Sequence, residues 1–211
     1  MFVISVFSVL VLSVANFSFL TILSVFSGLE NYSVSFSKSF DPDIKIKSLR
    51  GNTLYADDND LELISKTPGV VSVSKTILGK AVVQNDGKTE FAEIIGVDNE
   101  FESVILIDSI MQVGQFSKLD IYSSYTSSAI SERLNLTLYN MSGEFTVSTI
   151  SSDYLNFFLQ PFGNSQALIS NGVFKTRDNE NENKIIVSLP FASGLFSYEK
   201  NTYSELLLKT S

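Results

Sequence analysis

The sequence predicts an α+β protein in which one N-terminal transmembrane helix precedes a water-soluble region. No charged residue occurs from Met1 to Leu29. At about 1.5 Å of rise per residue, such a helix is long enough to cross a hydrocarbon core of roughly 30 Å. After Glu30, helical and strand periodicities alternate, and the chain that remains is long enough for one sizeable domain or two small lobes.

The apolar run from Met1 to Leu29 admits three interpretations: a removable signal peptide, a lone membrane tether, or one helix of a larger bundle. A signal peptide begins with positive charge and has a short apolar core. Here no Lys or Arg precedes Lys38, and the run is about twice the usual core length. We therefore do not expect a removable signal. Because no Lys or Arg flanks the start of the run, the sequence does not determine the direction in which this helix crosses the membrane. Such a start is expected if Met1 lies inside a longer gene product.

Polar side chains gather on one side of this predicted helix. Small and hydroxyl-bearing residues let membrane helices approach each other closely, so we expect a helix that packs against others. The alternative is that serine, frequent throughout this chain, falls there by chance. At about 100° per residue, the predicted packing face consists of Ser5, Ser8, Ser13, Asn16, Ser24 and Ser27. Ser18 and Thr21 lie outside it, and the opposite side carries Val3, Phe7, Leu10, Val14 and Val25.

Composition excludes several classes of function. A net charge of −8 disfavours a nucleic-acid partner, because phosphate binding needs a basic surface. The chain contains no Cys and no His, which removes disulfides, zinc–thiolate sites, cysteine nucleophiles and the usual general base. Acidic pairs such as Asp57 and Asp58 are typical of caps and exposed turns. We expect no enzyme activity and no cofactor.

The helical pattern continues past the apolar run as a stalk from Leu29 to Phe40. Asp41–Asp43 ends it, because the residue before Pro42 is disfavoured in helical conformation. Alternation of apolar and charged residues then predicts a strand from Ile44, followed by a turn at Arg50–Asn52.

A short helix is predicted over Asn59–Lys66, with Asp57 or Asp58 as its cap. The sequence Thr67–Gly69 ends this helix, since proline and glycine both interrupt helical structure. Its inward-facing residues are expected to be Leu61, Leu63 and Ile64.

A β-hairpin follows the short helix. Val70–Thr76 predicts one strand and Ile77–Gln84 a second segment, with a bulge at Gly79 between them. Asn85–Lys88 has the composition of a hairpin turn, and Thr89–Val97 returns as the partner strand. The order β–α–β–β is typical of the split βαβ arrangement.

Weaker patterns occupy the rest of the chain. Ser103–Ser109 fits a strand or a short helix, Ser123–Leu134 fits a helix, and Phe174 is expected to open a loop. The aromatics Phe157, Phe158 and Phe162 are interpreted as core, with a docking surface as the alternative. Further strands are predicted at Leu136–Tyr139, Phe145–Ile150, Ile185–Leu189 and Glu205–Lys209, a helix at Pro190–Leu195, and an exposed acidic loop at 178–184.

The end of the apolar helix, Ile22–Glu30, resembles the end of the first membrane helix of lipoprotein-releasing ABC transporter permeases. That family has a leucine-serine-valine-x-asparagine-glycine pattern, then an aromatic residue or leucine and an acidic residue. The matching positions are Leu23, Ser24, Val25, Gly28 and Glu30, whereas Ser27 stands where the family has asparagine. Further collinear similarities cover Asp41–Ile46, Pro68–Val73, Gly96–Asp98, Gly172–Phe174 and Ile186–Ala192, and residues 115–150 depart from the family pattern.

The resemblance implies a permease with four membrane helices and a large periplasmic domain between the first and second. That domain would have a Porter-like α/β lobe, residues 41–100 and 185–211, and a β-rich Sabre-like lobe, residues 101–184. Residues 1–29 would be the first membrane helix, continued by the stalk to residue 40. This chain would then be a fragment, and the strand that stops at Ser211 agrees with a cut C-terminus.

Partners and location also follow from the resemblance. Such permeases lie in the bacterial inner membrane, work with a cytoplasmic ATPase subunit, and pair with a second permease subunit as a homodimer or heterodimer. ATP-driven closure extrudes a lipoprotein from the outer leaflet toward a periplasmic carrier. Macrolide-exporter-like and cell-division permeases are relatives. The alternative function is a single-pass, membrane-anchored periplasmic binding domain.

Overall fold

The chain forms two compact units, Met1–Ser39 and Phe40–Ser211. The computed structural model describes residues 2–37, 42–136, 143–150, 162–175 and 183–211, with the backbone alone for residues 29–37. The two units are described separately below.

The first unit is one long helix, α1, which spans Phe2–Ser37 without interruption. Its first 27 residues, Phe2–Gly28, are long and apolar enough to cross a membrane by length and composition. Every side chain in that stretch is exposed. The helix continues past Glu30, so the predicted stalk is confirmed as far as Ser37; residues 38–41 lie outside the described part of the chain.

The second unit is a mixed α+β domain. Its helices within the described residues are α2 (Asp58–Ser65), α3 (Phe101–Val104), α4 (Ser128–Arg133) and α5 (Leu189–Phe196), with a 3₁₀ turn at Ile107–Ile110. Its strands there are β1 (Ile44–Lys47), β2 (Leu54–Tyr55), β3 (Val70–Asn85), β4 (Lys88–Val97), β5 (Met111–Val113), β6 (Ser123–Ser127), β7 (Glu144–Ile150), β8 (Phe162–Phe174), β9 (Lys184–Ser188), β10 (Thr202–Tyr203) and β11 (Glu205–Thr210). The predicted fold class, an apolar helix followed by an α+β domain, is confirmed.

Nine of these strands form one sheet that closes on itself. The order is β1-β11-β3-β4-β9-β6-β8-β5, and β7 pairs with both β3 and β8. The pairs β3–β4, β4–β9, β9–β6, β6–β8, β8–β7 and β7–β3 therefore make a closed ring of six strands. A closed ring has few free strand edges. Strands β2 and β10 form a separate two-stranded sheet.

Among the described residues, β3 is the longest strand, and it belongs to two parts of the sheet. One part is the ring, and the other is an outer wing that consists of β1, β11 and the first part of β3. Its first part, Val70–Thr76, pairs with β11, and Ala81–Gln84 pairs on the same edge with β7. The opposite edge pairs with β4 from Thr76 to Asn85 without a register shift. The bulge predicted at Gly79 is therefore wrong. Gly79 lacks a side chain because the Phe196 ring occupies the space of a Cβ there.

Helices α4 and α5 enter the ring from opposite ends, because they follow the antiparallel neighbours β6 and β9. Each begins with a serine cap: Ser127 accepts from the N–H of Ile130, and Ser188 from that of Phe191. The helices share one buried cluster with the ring strands, which includes Ile77, Val83, Ile94, Ile130, Leu134, Phe145, Val147, Leu168, Ile185, Val187, Phe191 and Leu195.

Two smaller clusters lie outside the ring. One packs α3 and the 3₁₀ turn against the outer sheet face and includes Phe101, Ile107, Tyr125, Phe174, Ile186 and Leu207. The other lies on the wing and includes Ala56, Tyr203, Leu206 and Leu208, with Leu61 and Ile64 of α2 packed against it. Neighbours Ile185 and Ile186 belong to different clusters, as the period of two in a strand requires.

Several local predictions are confirmed. Asp86 and Gly87 have φ values of 46° and 76°, the conformation of the type I′ turn that joins β3 to β4. Asp57 caps α2 and forms a reciprocal capping box with Asp60. The predictions of β7, β9, β11 and α5 are also confirmed within one or two residues at their ends.

Other local predictions are wrong. Ser123–Leu134 begins as strand β6 and becomes helical only at Ser128, because Ser124 and Thr126 are buried between two strands. The loop expected to open at Phe174 is not contradicted: Phe174 is the buried last residue of β8, and Lys175 after it lies outside the strand. The side chain of Leu63 is 69% exposed, whereas we expected it to point inward.

The remaining predictions concern ambiguous or undescribed residues. Ser103–Ser109 contains the end of α3 and part of the 3₁₀ turn rather than a strand. Phe162 lies in β8 and is 41% exposed, so it is not core. Phe157, Phe158, most of Leu136–Tyr139 and most of the acidic loop 178–184 fall outside the described residues.

The predicted lobes share strands of one sheet. Strand β6, from the 101–184 range, pairs with β9 of the 185–211 range, for example through Thr126 and Ile185. Strand β4 also pairs with β9, through Ile94 and Ile185. The division into Porter-like and Sabre-like lobes stays a prediction.

Candidate functional site

The sequence-predicted packing face lies entirely on α1. Its six residues, Ser5, Ser8, Ser13, Asn16, Ser24 and Ser27, are all exposed and all fall in the apolar stretch Phe2–Gly28. Because α1 is helical over this whole length, residues three, four and seven apart share a side. The face can therefore meet a second helix, and its use in packing stays a prediction.

Three hydroxyl groups in the described part of α1 are bonded within the helix itself. Ser8 donates to the carbonyl of Ile4 at 2.9 Å, and Ser13 donates to that of Val9 at 2.8 Å. Thr21 donates to the carbonyl of Phe17 at 2.8 Å. Bonds of this kind satisfy the hydroxyl hydrogen without any partner helix, which makes serine and threonine tolerable in an apolar environment.

Asn16 differs from these hydroxyl residues. Its Nδ2 donates to the carbonyl of Leu12 at 2.8 Å, but a carboxamide has a second N–H and a carbonyl oxygen as well. Asn16 lies near the middle of Phe2–Gly28. It is the polar side chain on this face with the most hydrogen-bonding capacity beyond its own helix.

The residues of the helix-end motif also lie in α1. Leu23, Ser24, Val25 and Gly28 belong to the exposed apolar stretch, and Glu30 lies two residues beyond it within the same helix. A Cβ on Gly28 would meet nothing within 4 Å. Within the described residues, no neighbour explains why position 28 is a glycine, and the role of the motif in a transporter stays a prediction.

The second candidate site is the place where the first and last strands of the α+β domain pair. The first strand, β1, pairs antiparallel with the last strand, β11, in a register that joins Ile44 to Leu208 and Lys47 to Glu205. The start of β1 and the end of β11 consequently lie side by side. We call this place the paired ends, defined as Asp43 and Ile44 with Lys209 and Thr210.

Asp43 joins the paired ends. Its carboxylate accepts from the Thr210 backbone N–H at 2.9 Å and from the Thr210 hydroxyl at 3.3 Å. Lys209 Nζ lies 3.2 Å from Asp43 Oδ2. The Thr210 N–H, followed by the Lys209 ammonium, lowers the pKa of Asp43 below its ordinary value of 3.8, because both stabilise the ionised form.

A second ionic contact ties β1 to β11 further along the pair. Lys47 Nζ lies 2.9 Å from Oε2 of Glu205, whose side chain is only 8% exposed. Glu205 is directly opposite Thr76 of β3, so the contact reaches the centre of the wing. Removal of Lys47 would leave a buried carboxylate without its counter-ion, which is costly.

Asp98 fixes the opposite side of β3. It belongs to the predicted Gly96–Asp98 motif, and its carboxylate accepts from Ser74 Oγ at 2.7 Å and from the Lys75 backbone N–H at 3.1 Å. It also accepts from the Glu100 N–H at 3.2 Å. The motif therefore anchors the end of β4 to β3.

Sequence reasoning missed the role of Asp43. The pair of Asp41 and Asp43 has the pattern of a solvated acidic turn, and nothing in the local sequence indicates a contact with Thr210, near the other end of the domain. The alternating pattern of Ile44–Lys47 and the apolar Glu205–Lys209 segment indicated two strands, but not their pairing.

The contacts of the paired ends join strands to each other. Among the described residues, no group of three or more Asp and Glu side chains is placed to hold a metal ion. The ionisable groups at the paired ends are used in contacts between strands. The site therefore holds the start of β1 and the end of β11 together.

No protein-family model matches the sequence. No curated protein matches it either.

Solved structures do resemble the chain. The extracellular domain of the noncanonic ABC-type transporter YknZ from Gram-positive bacteria aligns with a TM-score of 0.53 and 15% identity, covering 82% of this chain and 81% of that chain. The periplasmic region of MacB from Actinobacillus actinomycetemcomitans aligns with a TM-score of 0.49 and 12% identity, covering 75% of this chain and 66% of that chain. A domain of a putative permease protein from Porphyromonas gingivalis aligns with a TM-score of 0.49 and 14% identity, covering 77% of this chain and 71% of that chain. At such identities, the similarity to the YknZ domain shows a shared fold.

Proposed function

We propose that the chain is a permease subunit of an ABC transporter and that α1 anchors it in the membrane. One observation carries the proposal: a helix apolar enough to cross a membrane is followed by a domain with the fold of a transporter's extracellular domain. Fold alone does not determine function. Here the fold and the adjacent apolar helix support the same interpretation.

The chain's role in this proposal is coupling rather than catalysis. The sequence has no His and no Cys, and hydrolysis of ATP belongs to a separate cytoplasmic ATPase subunit. Helix α1 runs without a break from Phe2 to Ser37, nine residues beyond Gly28, or about 14 Å at 1.5 Å per residue. A continuous helix of this kind can act as a lever that moves with the membrane-embedded part.

Within the α+β domain, the paired ends join the first strand to the last. Displacement of the chain that enters at Asp43 would act on β1, and through Asp43 and Lys47 it would act on β11 as well. Since β11 pairs with β3, which is also a ring strand, the ring would receive the motion through continuous hydrogen-bonded strands.

The finer proposal concerns cargo and location. The helix-end motif Leu23, Ser24, Val25, Gly28 and Glu30 supports a permease of the lipoprotein-releasing kind, in the inner membrane of a bacterium with the α+β domain in the periplasm. Its partners would be the ATPase, a second permease subunit, a lipoprotein from the outer leaflet and a periplasmic carrier.

The test is co-purification of the complete gene product with an ATPase, followed by ATP hydrolysis measurements in lipid nanodiscs. We expect an ATPase to co-purify in a fixed ratio and its activity to rise when lipoprotein is added. A product that inserts in the membrane but purifies without any ATPase would instead indicate an anchored binding domain.

A further inference from the structure

A segment without helix or strand, residues 114–120, connects β5 to β6 across the outer face of the sheet. We call this segment the strap. Phe116 is 8% exposed and Leu119 is half-buried, and both pack with the cluster that contains α3 and the 3₁₀ turn. The other strap residues are exposed. The side chain of Phe116 is therefore the main apolar anchor of the strap.

The ring of Phe116 lies close to two other aromatic rings. Its centroid is 4.8 Å from that of Tyr125, at an interplanar angle of 34°, and 6.3 Å from that of Phe101, at 47°. Tilted ring pairs at such distances are a favourable aromatic arrangement. The surface beneath the strap is thus fitted to a phenyl ring.

Polar side chains beneath the strap bind its backbone on both sides of this ring. Tyr125 Oη accepts from the Ser117 backbone N–H at 2.9 Å and donates to the Gln115 carbonyl at 3.1 Å. Asp108 Oδ1 accepts from the backbone N–H of Phe116 at 3.2 Å. Since these bonds are made to peptide groups, they would fit a phenylalanine with other neighbours equally well.

We propose that Phe101, Asp108 and Tyr125 form a binding site for a phenylalanine-containing segment of a partner protein, which the strap occupies as an internal competitor. Phe116 stands where the partner's aromatic ring would bind. The occupant is a peptide rather than a small apolar molecule, because Tyr125 and Asp108 bind peptide N–H and carbonyl groups. The inference concerns the α+β domain alone and does not depend on membrane anchoring.

The strap is fastened at its ends and can lift in its middle. Gly114 has a φ of 81°, and a Cβ there would lie 2.9 Å from the carbonyl oxygen of Asn171. At the other end, the Ser123 N–H donates to the carbonyl of Asp120 at 3.1 Å. Within the described part of the sheet, no strand pairs with the backbone of residues 114–120. Phe116 can therefore leave its site without separating any strands.

Tethering gives the strap an advantage over a free partner. A group on a short flexible connection competes at an effective concentration in the millimolar range. A partner must overcome this competition, so the strap would suppress binding of weak or non-specific aromatic segments. Loss of the Phe116 ring should then increase the affinity for a partner segment.

Peptide binding to the whole chain in mild detergent tests the site. The probe is a fluorescently labelled peptide with the sequence of residues 114–119, and Phe116→Ala removes the competing ring. We expect the Phe116→Ala chain to bind the peptide at least tenfold more tightly than the unmodified chain, measured by fluorescence anisotropy. A control peptide with alanine in place of phenylalanine should not bind. Equal affinity of the two chains, or equal binding of the two peptides, would overturn the proposal.

Substitution of Tyr125 tests recognition of the peptide backbone. Tyr125→Phe keeps the ring and removes the hydroxyl, so in the Phe116→Ala chain it should weaken peptide binding about tenfold. Tyr122→Phe, at an exposed position, is the matched control and should leave the affinity unchanged. Benzyl alcohol, a ring without a peptide backbone, should compete at least tenfold more weakly than unlabelled peptide. An unchanged affinity in Tyr125→Phe, or equal competition by benzyl alcohol, would contradict recognition of a peptide.

Displacement of the strap is measured in chains that keep an aromatic residue there, so the answer does not depend on the folding of Phe116→Ala. The sequence contains no Trp, and Phe116→Trp therefore adds a single fluorescent reporter. Excess unlabelled peptide should move its emission to longer wavelength and increase its quenching by acrylamide, whereas Tyr55→Trp, at an exposed position, should not respond. In the unmodified chain, the same peptide should accelerate hydrogen exchange at the Ser117 amide. No response of either reporter at millimolar peptide would refute displacement of the strap.

Discussion

Gly96 of β4 lies directly beneath Ala192 of α5, so closely that a Cβ on Gly96 would overlap the Cβ of Ala192. Gly79 of β3 has the same relation to the ring of Phe196. Each glycine is paired with an isoleucine of the neighbouring strand: Gly96 of β4 is opposite Ile77 of β3, and Gly79 of β3 is opposite Ile94 of β4. The helix therefore rests on a surface in which two positions must stay without side chains.

We predict that Gly96→Ala destabilises the domain by about 1–3 kcal/mol, because the added methyl group must displace α5 or the sheet. Urea denaturation of the chain in mild detergent measures the change. The control is Gly194→Ala in α5 itself, where the nearest neighbour of an added Cβ is Gln166 Nε2 at 3.8 Å. That variant should be neutral or stabilised by about 0.5–1 kcal/mol. Equal stability of Gly96→Ala and the unmodified chain would show that α5 is not held against the sheet.

Ser204→Ala should also destabilise the domain, by about 1–3 kcal/mol. Leu78 lies in β3 between the segment that pairs with β11 and the segment that pairs with β7. Its backbone N–H donates to Ser204 Oγ at 2.8 Å, and Tyr198 Oη lies 2.9 Å from the same oxygen. Alanine would leave both groups without this partner. Ser72→Ala, in β3 like Leu78, is the control with an expected change below about 0.5 kcal/mol. The same urea titration compares them, and a similar loss for the two variants would contradict the role given to Ser204.

Acidification should loosen the paired ends. The pKa of Asp43 is lowered by the Thr210 N–H and by Lys209, so the folded state binds this proton less readily than the unfolded state does. The contribution of Asp43 is therefore fully present above its ordinary pKa of 3.8, and it is lost as the pH falls through the lowered pKa. As the pH falls through the lowered pKa of Asp43, we expect the amide protection factors of β1 to decrease before those of the ring strands.

Asp43→Asn removes the titration and should leave the β1 protection factors lower near neutral pH and nearly independent of pH in acid. Asp86→Asn, in the β3–β4 turn, is the control and should retain the acid-dependent loss. An acid response that persists in Asp43→Asn would assign it to other carboxylates.

Tyr32→Pro tests α1 as a lever. Proline inside a helix removes a hydrogen bond and clashes with the preceding turn, at a cost of about 3 kcal/mol, and Tyr32 lies between Gly28 and the end of α1 at Ser37. In the complete transporter we expect transport to fall at least tenfold while the denaturation midpoint of the α+β domain stays the same. Tyr32→Ala keeps the helix and should transport normally. Normal transport by Tyr32→Pro would refute the lever.

Local features of this fold could be predicted because their signals are local. The type I′ turn at Asn85–Lys88, the Asp57 cap of α2 and the length of α1 each depend on residues close together in sequence. The candidate packing face depends on the same kind of local helical repeat, and its use in packing stays a prediction. The paired ends were not, because the contact of Asp43 with Thr210 depends on the complete sheet.

Errors arose where tertiary contacts override local preference. Ser123–Ser127 has a polar composition that favours neither strand nor burial, yet it lies between β8 and β9, where Thr126 Oγ1 and Ser170 Oγ are 3.0 Å apart. The long strand β8 was missed because its residues Gly163–Gln166 are polar and its apolar residues Leu168, Val173 and Phe174 show no simple alternation. Gly79 was interpreted as a bulge, since nothing in β3 itself reveals Phe196.

The closed ring has a consequence for how the chain folds. One of its two parallel pairs joins β4 to β9, so the ring cannot close before Ile185, the partner of Ile94, has been synthesised. Helix α5, which fills one end of the ring, is synthesised later still. Contacts so distant in sequence slow folding. A nascent domain would expose the unpaired edge of β4 and the apolar side chains of the interior until nearly the whole chain has been synthesised, and during that interval it would be prone to aggregation. Protection of the unfinished chain, by a chaperone or by coupling of folding to export, is therefore a requirement that the topology places on the cell.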